Sequence, residues 1–203
     1  MKSKTIITLA LLSVLATPSL AVAQGADSAS VARKLSSRIA SERRAAAEEL
    51  ARLAAVEHRR LAEGYRAQEK DARARLALDW ALYRMGKGES LYQLVGALDE
   101  KRQAEQSVAY LKQLEGPEPL YVFLGRVNGY TQIRLLEVLA AVGDRVTLEK
   151  IKPFTESLDP LIADAAKFAE REITIRVEET PVVEPKRQRK TGNVSESEEQ
   201  PPF

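Results

Sequence analysis

The feature that most constrains the fold is a run of 98 residues without proline, between Pro18 and Pro117. Within it, apolar residues recur three, four and seven positions apart, which places them on one face of an α-helix. Two stretches show this spacing: Leu35, Ile39, Ala46, Leu50 and Leu53, and then Leu91, Leu94, Val95 and Leu98. Aromatic residues, which favour strands, make up only 5% of the 203 residues. We therefore predict an all-α fold.

Residues that commonly begin helices recur along the chain at a nearly constant interval. They are short polar residues, separated by 28, 29 and 31 positions: Asp71, Asp99, Asn128 and Asp159. Each is predicted to be an N-cap, because its side-chain oxygen can accept a free backbone N–H of the first turn. Gly86 and Gly143 follow two of these helices and are predicted to end them in a left-handed conformation. Such a period indicates a repeat of helical hairpins.

Three of these segments resemble the HEAT-repeat family, including its bacterial variant named after phycobilisome lyases. The segments that carry the resemblance are 71–86, 128–144 and 159–169. In that family such a segment is the second helix of a hairpin. The resemblance therefore implies a right-handed α-solenoid of about five helical hairpins over residues 28–175, with a non-repeating bundle or another array of hairpins as the alternatives.

The chain departs from the family at the arginine that recurs in each repeat. This arginine is present at Arg75 and, one unit earlier, at Arg44. Gln103, Gln132 and Ala163 occupy the equivalent positions of the later units. The resemblance therefore does not imply a continuous ladder of Asp–Arg pairs between repeats.

The N-terminus has the pattern of a cleaved signal peptide, residues 1–23. Lys2 and Lys4 precede an apolar run over residues 6–16, Pro18 interrupts that run, and small residues lead up to Ala23. We expect the protein to be exported, to the periplasm rather than to the medium. An uncleaved membrane anchor is the alternative interpretation of this segment. Without this segment the chain has 29 basic and 29 acidic residues. This balance argues against binding a polyanion such as nucleic acid by bulk charge.

The C-terminal residues 180–203 differ in composition from the predicted repeat domain, residues 24–179. Prolines and many charges predict a disordered tail. Four positive charges cluster in it: Lys186, Arg187, Arg189 and Lys190. A solvated linker is one interpretation, and weak contact with an anionic lipid or wall polymer is the other.

The residues that most catalytic and metal sites require are scarce. There is no cysteine and one histidine, His58, so disulfides, zinc–thiolate sites and multi-histidine metal sites are excluded. Ser90 and Ser107 lack the sequence context of a nucleophile, and we interpret His58 as a surface residue of a helix. We predict no enzyme activity, cofactor or metal. A lyase-like chaperone that holds a small ligand is an alternative function.

The most informative candidate site is the single tryptophan, Trp80. On a helical wheel Trp80 lies on the same side as Arg73 and Arg84, whereas Arg75 and Asp79 lie on the opposite side. The resemblance places this side on the concave surface, with Glu49, Val108, Glu137 and Phe168 at the equivalent positions.

Two interpretations of Trp80 remain open. An exposed tryptophan that stacks on Arg84 would be typical of a binding hot spot. Alternatively, Trp80 packs in the core between repeats, because its helix is apolar nearly all round. On the first interpretation the protein is a scaffold that binds another protein or peptide through a groove containing Arg73, Trp80 and Arg84. The sequence does not indicate an oligomeric state.

Overall fold

The computed structural model describes residues 28–179, and every regular element within them is helical, which confirms the predicted all-α class. The predicted signal peptide, residues 1–23, and the tail with Lys186, Arg187, Arg189 and Lys190 lie outside the described residues. A helical segment at residues 28–33 continues into a 3₁₀-helix, Lys34–Ser36, and a second 3₁₀-helix spans Val56–His58. The α-helices are α1 (Ala40–Leu53), α2 (Arg59–Gln68), α3 (Ala72–Arg84), α4 (Ser90–Gly96), α5 (Ala104–Leu111), α6 (Glu118–Leu124), α7 (Gly129–Val142), α8 (Arg145–Thr155) and α9 (Pro160–Glu179).

Two of the four predicted N-caps cap their helices through the side chain. The Asp71 carboxylate accepts the backbone N–H groups of Arg73 and Ala74, at 3.1 and 2.9 Å, and begins α3. Asp159 accepts the N–H of Leu161 at 2.9 Å and begins α9. Both satisfy N–H groups that have no partner within the helix.

The other two predicted N-caps behave differently. Asn128 occupies the N-cap position of α7 with an extended backbone, but its side chain makes no capping bond. Asp99 is not an N-cap, so that prediction is wrong. Turns occupy residues 97–103, and α5 begins only after them, with Gln103 at its N-cap position. The turns are held by backbone bonds, such as that from the Gln103 N–H to the Glu100 carbonyl, at 2.8 Å.

The two predicted helix-ending glycines also differ. Gly86 has φ +91° and ends α3 with two backbone bonds, from its own N–H to Tyr83 and from the Lys87 N–H to Leu82, both 2.9 Å. This is the predicted left-handed stop. Gly143 instead has φ −66° and ψ 158°, so the left-handed prediction is wrong there. Glycine is required at 143 for space, because an added Cβ would lie 2.5 Å from the Leu139 carbonyl oxygen.

The helices pack against both alternate and consecutive neighbours in the chain. Helix α1 packs along α3, and α9 packs along both α7 and α8. The shorter α4 contacts α3, and α4 and α5 each contact α7. They therefore connect the α1–α3 pair to α7, α8 and α9. One continuous apolar core runs through the described residues, and its largest fully buried side chains include Leu50, Leu78, Leu82, Leu111, Leu135 and Leu139. None of the helices in residues 28–179 has both the length and the apolar character that a membrane span requires.

Candidate functional site

The structure places Trp80 in the core. Its side chain, on α3, is only 3% exposed. The indole stacks against two tyrosine rings. The ring centroid of Tyr83 is 5.8 Å from that of Trp80, and the centroid of Tyr110 is 5.6 Å away with an interplanar angle of 3°. The core interpretation of Trp80 is therefore correct, and the exposed binding anchor is wrong.

Arg84 contacts Trp80 as the sequence predicts. Its guanidinium carbon lies 5.8 Å from the centre of the indole ring, a cation–π contact. The same guanidinium donates to the Glu115 carboxylate at 3.3 Å. Arg73 is exposed, and its backbone carbonyl accepts a hydrogen bond from the Gln106 amide at 3.1 Å. The three predicted residues therefore do not form one exposed surface; only Arg73 and Arg84 reach solvent.

Tyr110 covers the face of Trp80 that the binding interpretation required to be open. Its ring comes from α5, and its hydroxyl donates to the Glu48 carboxylate of α1 at 2.7 Å. The Gln106 amide donates to the same hydroxyl at 2.6 Å. Burial raises the pKa of Tyr110, so the phenol stays protonated and remains a donor. The protein's own side chains thus occupy the position that a bound partner would take under the binding interpretation.

An open groove lies beside this cluster, and we call it the Arg84 groove. Its volume is about 540 Å³. The walls are Ala54 at the end of α1, the end of α3, and residues between Leu114 and Pro119. Among its lining residues, Tyr83 and Leu114 supply large apolar groups, and the half-buried Arg84 supplies the cationic group. Glu115 and Glu118 supply carboxylates. The groove can therefore accept a chain that presents an apolar group next to a charge.

A second, more polar cavity lies on the opposite side of α3. It has a volume of about 400 Å³, and its lining includes Arg66, Arg75 and Asp79. Asp79 is buried and accepts two hydrogen bonds from the Arg66 guanidinium, at 2.9 and 3.3 Å. Burial raises the pKa of Asp79, and the charge of Arg66 opposes that shift. Arg75 and Asp79 thus face away from Trp80, as the helical wheel predicts.

A serine, a histidine and a carboxylate meet at the start of the described chain, and no sequence motif predicts this cluster. The Ser28 hydroxyl donates to Glu57 at 2.8 Å, and the His58 Nε2 atom lies 3.2 Å from the same hydroxyl. His58 lies in the Val56–His58 3₁₀-helix, and its side chain is 19% exposed, so it is a partly buried residue and not a fully exposed one. Ser28 is 30 residues away in the sequence and belongs to no motif.

This cluster does not have the geometry of a catalytic triad. In a triad the carboxylate holds one ring nitrogen of histidine and the serine faces the other. Here Glu57 and Ser28 both face Nε2 of His58, with Glu57 at 3.7 Å. Ser28 is also buried. The cluster therefore ties the first helical segment to the Val56–His58 turn.

The described part of the chain holds no group of three or more histidine, aspartate or glutamate side chains that could bind a metal ion. Comparison with models of protein families, with curated proteins and with solved structures finds no match to the chain. The HEAT-repeat resemblance therefore stays a prediction.

Proposed function

We propose that the protein is an exported, non-enzymatic binding module, a right-handed α-solenoid of HEAT-like hairpins, that holds a segment of another protein in the Arg84 groove. The packing of α1 on α3 and of α9 on α7 supports the solenoid, because second helices of neighbouring hairpins pack on one another in such arrays. The signal-peptide pattern in residues 1–23 supports export.

The observation that carries the proposal is that Arg84 packs on Trp80 and, within the described residues, pairs only with the exposed Glu115. Trp80 holds the guanidinium in place at the groove wall, so little conformational entropy is lost when a partner binds it. The anionic group that Arg84 contacts, the Glu115 side chain, is 88% exposed, and an exposed ion pair contributes only about 0–1 kcal/mol. A carboxylate of a partner can therefore replace Glu115 at small cost.

The lining of the groove indicates the chemistry of that partner. An acidic side chain would bind Arg84, and a neighbouring apolar side chain would contact Tyr83 and Leu114. The groove volume of about 540 Å³ suits a few residues of an extended peptide rather than a whole domain surface. We therefore expect a short acidic segment with an aromatic or aliphatic residue beside the acid.

Charge reversal tests this function. The purified protein is incubated with an envelope extract, and captured proteins are compared for the wild type, Arg84→Glu and a control, Arg102→Glu. Arg102 is exposed and does not line the groove. We expect Arg84→Glu to lower capture at least tenfold at unchanged helicity, and Arg102→Glu to leave it unchanged. Equal capture by all three proteins contradicts the proposal.

A second candidate function is supported by the polar cavity beside Asp79. Arg66, Arg75, Asp79 and Glu100 converge there with two glutamines, as a site that holds a small polar ligand would require. On this proposal Arg75→Ala abolishes the protection that the bound ligand gives against thermal unfolding, whereas Arg84→Glu does not.

The other alternative is docking to an anionic lipid or wall polymer through residues 186–190. It predicts that deletion of residues 180–203 abolishes surface association.

A further inference from the structure

Helix α9 carries an apolar stripe on the side turned away from the core. Leu161, Phe168 and Ile175 are spaced seven residues apart and are 58%, 43% and 53% exposed. Seven residues are nearly two turns, so the three side chains lie in line along the helix. The core-facing side of the same helix holds Ile162, Ala163, Ala166, Ala169 and Ile173. The helix therefore has a second apolar face, which is narrow and in contact with solvent.

Two charges of opposite sign border this stripe on one side. Asp164 and Arg171 are seven residues apart, so they lie on the same side of the helix. Both are exposed, and neither makes an ion pair or a side-chain hydrogen bond within residues 28–179. The stripe thus has an unpaired anion near one end and an unpaired cation near the other.

We propose that this stripe binds the same stripe of a second copy of the chain, with the two α9 helices antiparallel. A two-fold axis near Phe168 brings the two Phe168 rings together and sets Leu161 of each copy against Ile175 of the other. The same axis sets Asp164 of each copy against Arg171 of the other, which forms two ion pairs. In a parallel arrangement the side of the stripe that Asp164 borders would face the opposite side of the partner's stripe, which Ala165 and Glu172 border, and Asp164 would have no cationic partner. The antiparallel arrangement is therefore the one that pairs both Asp164 and Arg171.

The length of the stripe sets the strength of the association. It extends over 15 residues, about 21 Å, and contributes three apolar residues from each copy. This is shorter than the three to four heptads typical of a stable coiled coil. The dimer is therefore weak and depends on concentration. None of the stripe residues lines the Arg84 groove, so the dimer leaves that groove open in both copies and is independent of the proposed function.

Sedimentation of the purified protein over a range of concentrations tests the dimer. We expect a reversible monomer–dimer equilibrium, which Phe168→Glu weakens by at least tenfold by burying a charge at the two-fold axis. The control Tyr92→Glu places the same charge at another exposed aromatic residue, on α4, and leaves the equilibrium unchanged. A monomer at all concentrations, or equal effects of the two substitutions, overturns the proposal.

Charge reversals test the antiparallel arrangement. Asp164→Arg alone sets two arginines against each other, and Arg171→Asp alone sets two aspartates against each other, so each weakens its own homodimer roughly tenfold. A mixture of the two variants restores association, because every pair in the mixed dimer again joins an acid and a base. Failure of the mixture to associate contradicts this arrangement.

Disulfide formation gives an independent test, because the natural chain has no cysteine. A Leu161→Cys protein mixed with an Ile175→Cys protein should cross-link under mild oxidation, and neither should cross-link with itself. The opposite result indicates parallel helices and overturns the proposal. If deletion of residues 180–203 turns a monomer into a dimer, the tail rather than a second copy covers the stripe in the whole protein, which also overturns it.

Discussion

The ring of Tyr110 lies parallel to the indole of Trp80, with 5.6 Å between the ring centroids, and its hydroxyl donates to Glu48 at 2.7 Å. One side chain of α5 thereby joins α3 to α1, a helix that lies 62 residues earlier in the chain at the point of contact. This contact covers the face of Trp80 that would be open if the residue were a binding anchor. It leaves Arg84, at the edge of the stack, as the residue that reaches a groove.

The Tyr110 contact predicts different costs for two substitutions. Tyr110→Phe removes the hydrogen bond to Glu48, which is partly exposed and can be hydrated instead, so we expect a loss of about 1 kcal/mol. Tyr110→Ala also removes the ring against Trp80 and should cost about 3–5 kcal/mol. Urea unfolding measures both, with the emission of the single tryptophan as the probe. Equal losses for the two variants would contradict the stacking role of the ring.

Close packing at Gly143 predicts that an added methyl group destabilises the protein. An added Cβ would lie 2.5 Å from the Leu139 carbonyl oxygen and 2.7 Å from Cδ1 of Ile173. Backbone cannot move away as a flexible side chain can, so Gly143→Ala should cost about 1–3 kcal/mol in the free energy of unfolding.

The same substitution at Gly64 is the matched control for Gly143. Gly64 lies within α2, and an added Cβ meets no atom within 4 Å. Alanine is the better helix former, so Gly64→Ala should stabilise the protein by about 0.5–1 kcal/mol. Thermal unfolding measures the sign of each change. Two changes of the same sign would show that packing at Gly143 does not decide the outcome.

Three local predictions hold, Asp71 and Asp159 as N-caps and Gly86 as a left-handed stop, and each depends only on atoms within a few residues. Sequence reasoning identifies such features because a cap or a stop is built by its neighbours along the chain. The burial of Trp80 depends instead on Tyr110, 30 residues away, and periodicity cannot reveal that contact. The role of Gly143 depends in the same way on Ile173. The sequence therefore predicts the helices well, but it predicts poorly which side chains are buried by contacts between helices.

The ion pair between Arg43 and Glu69 predicts how stability depends on pH. The Arg43 guanidinium donates to both Glu69 oxygens, at 2.6 and 2.7 Å, and these bonds lower the pKa of Glu69. The stability that this carboxylate contributes is present above the pKa of an unfolded glutamate and is lost as the pH falls through the lowered folded value. Glu69→Gln should therefore destabilise the protein at pH 7 by about 2 kcal/mol. The variant should also lose less stability than the wild type when the pH falls from 7 to 4.

Asp79 provides the control of opposite sign for this pH dependence. Burial raises the pKa of Asp79, so its contribution is present at low pH and is lost as the pH rises through the raised folded value. Asp79→Asn removes that contribution and should increase the loss of stability between pH 7 and pH 4. Urea unfolding of both variants and the wild type at the two pH values measures these differences. Identical pH dependence in the three proteins would contradict the assignment of Glu69.

The end of α1 predicts a substitution that stabilises the protein. Ala54 is the C-cap of α1 and has φ 46° and ψ 45°, the one described non-glycine residue with positive φ. This left-handed conformation costs a residue with a Cβ roughly 1–2 kcal/mol, and glycine adopts it freely. Glycine also loses more entropy on folding, so the expected net gain for Ala54→Gly is about 0.5–1 kcal/mol. Ala45→Gly, at an exposed position within the same helix, should instead cost about 1 kcal/mol. Thermal unfolding compares the two variants. If both are destabilised, the methyl group of Ala54, in the wall of the Arg84 groove, contributes more to stability than the left-handed backbone of that residue costs.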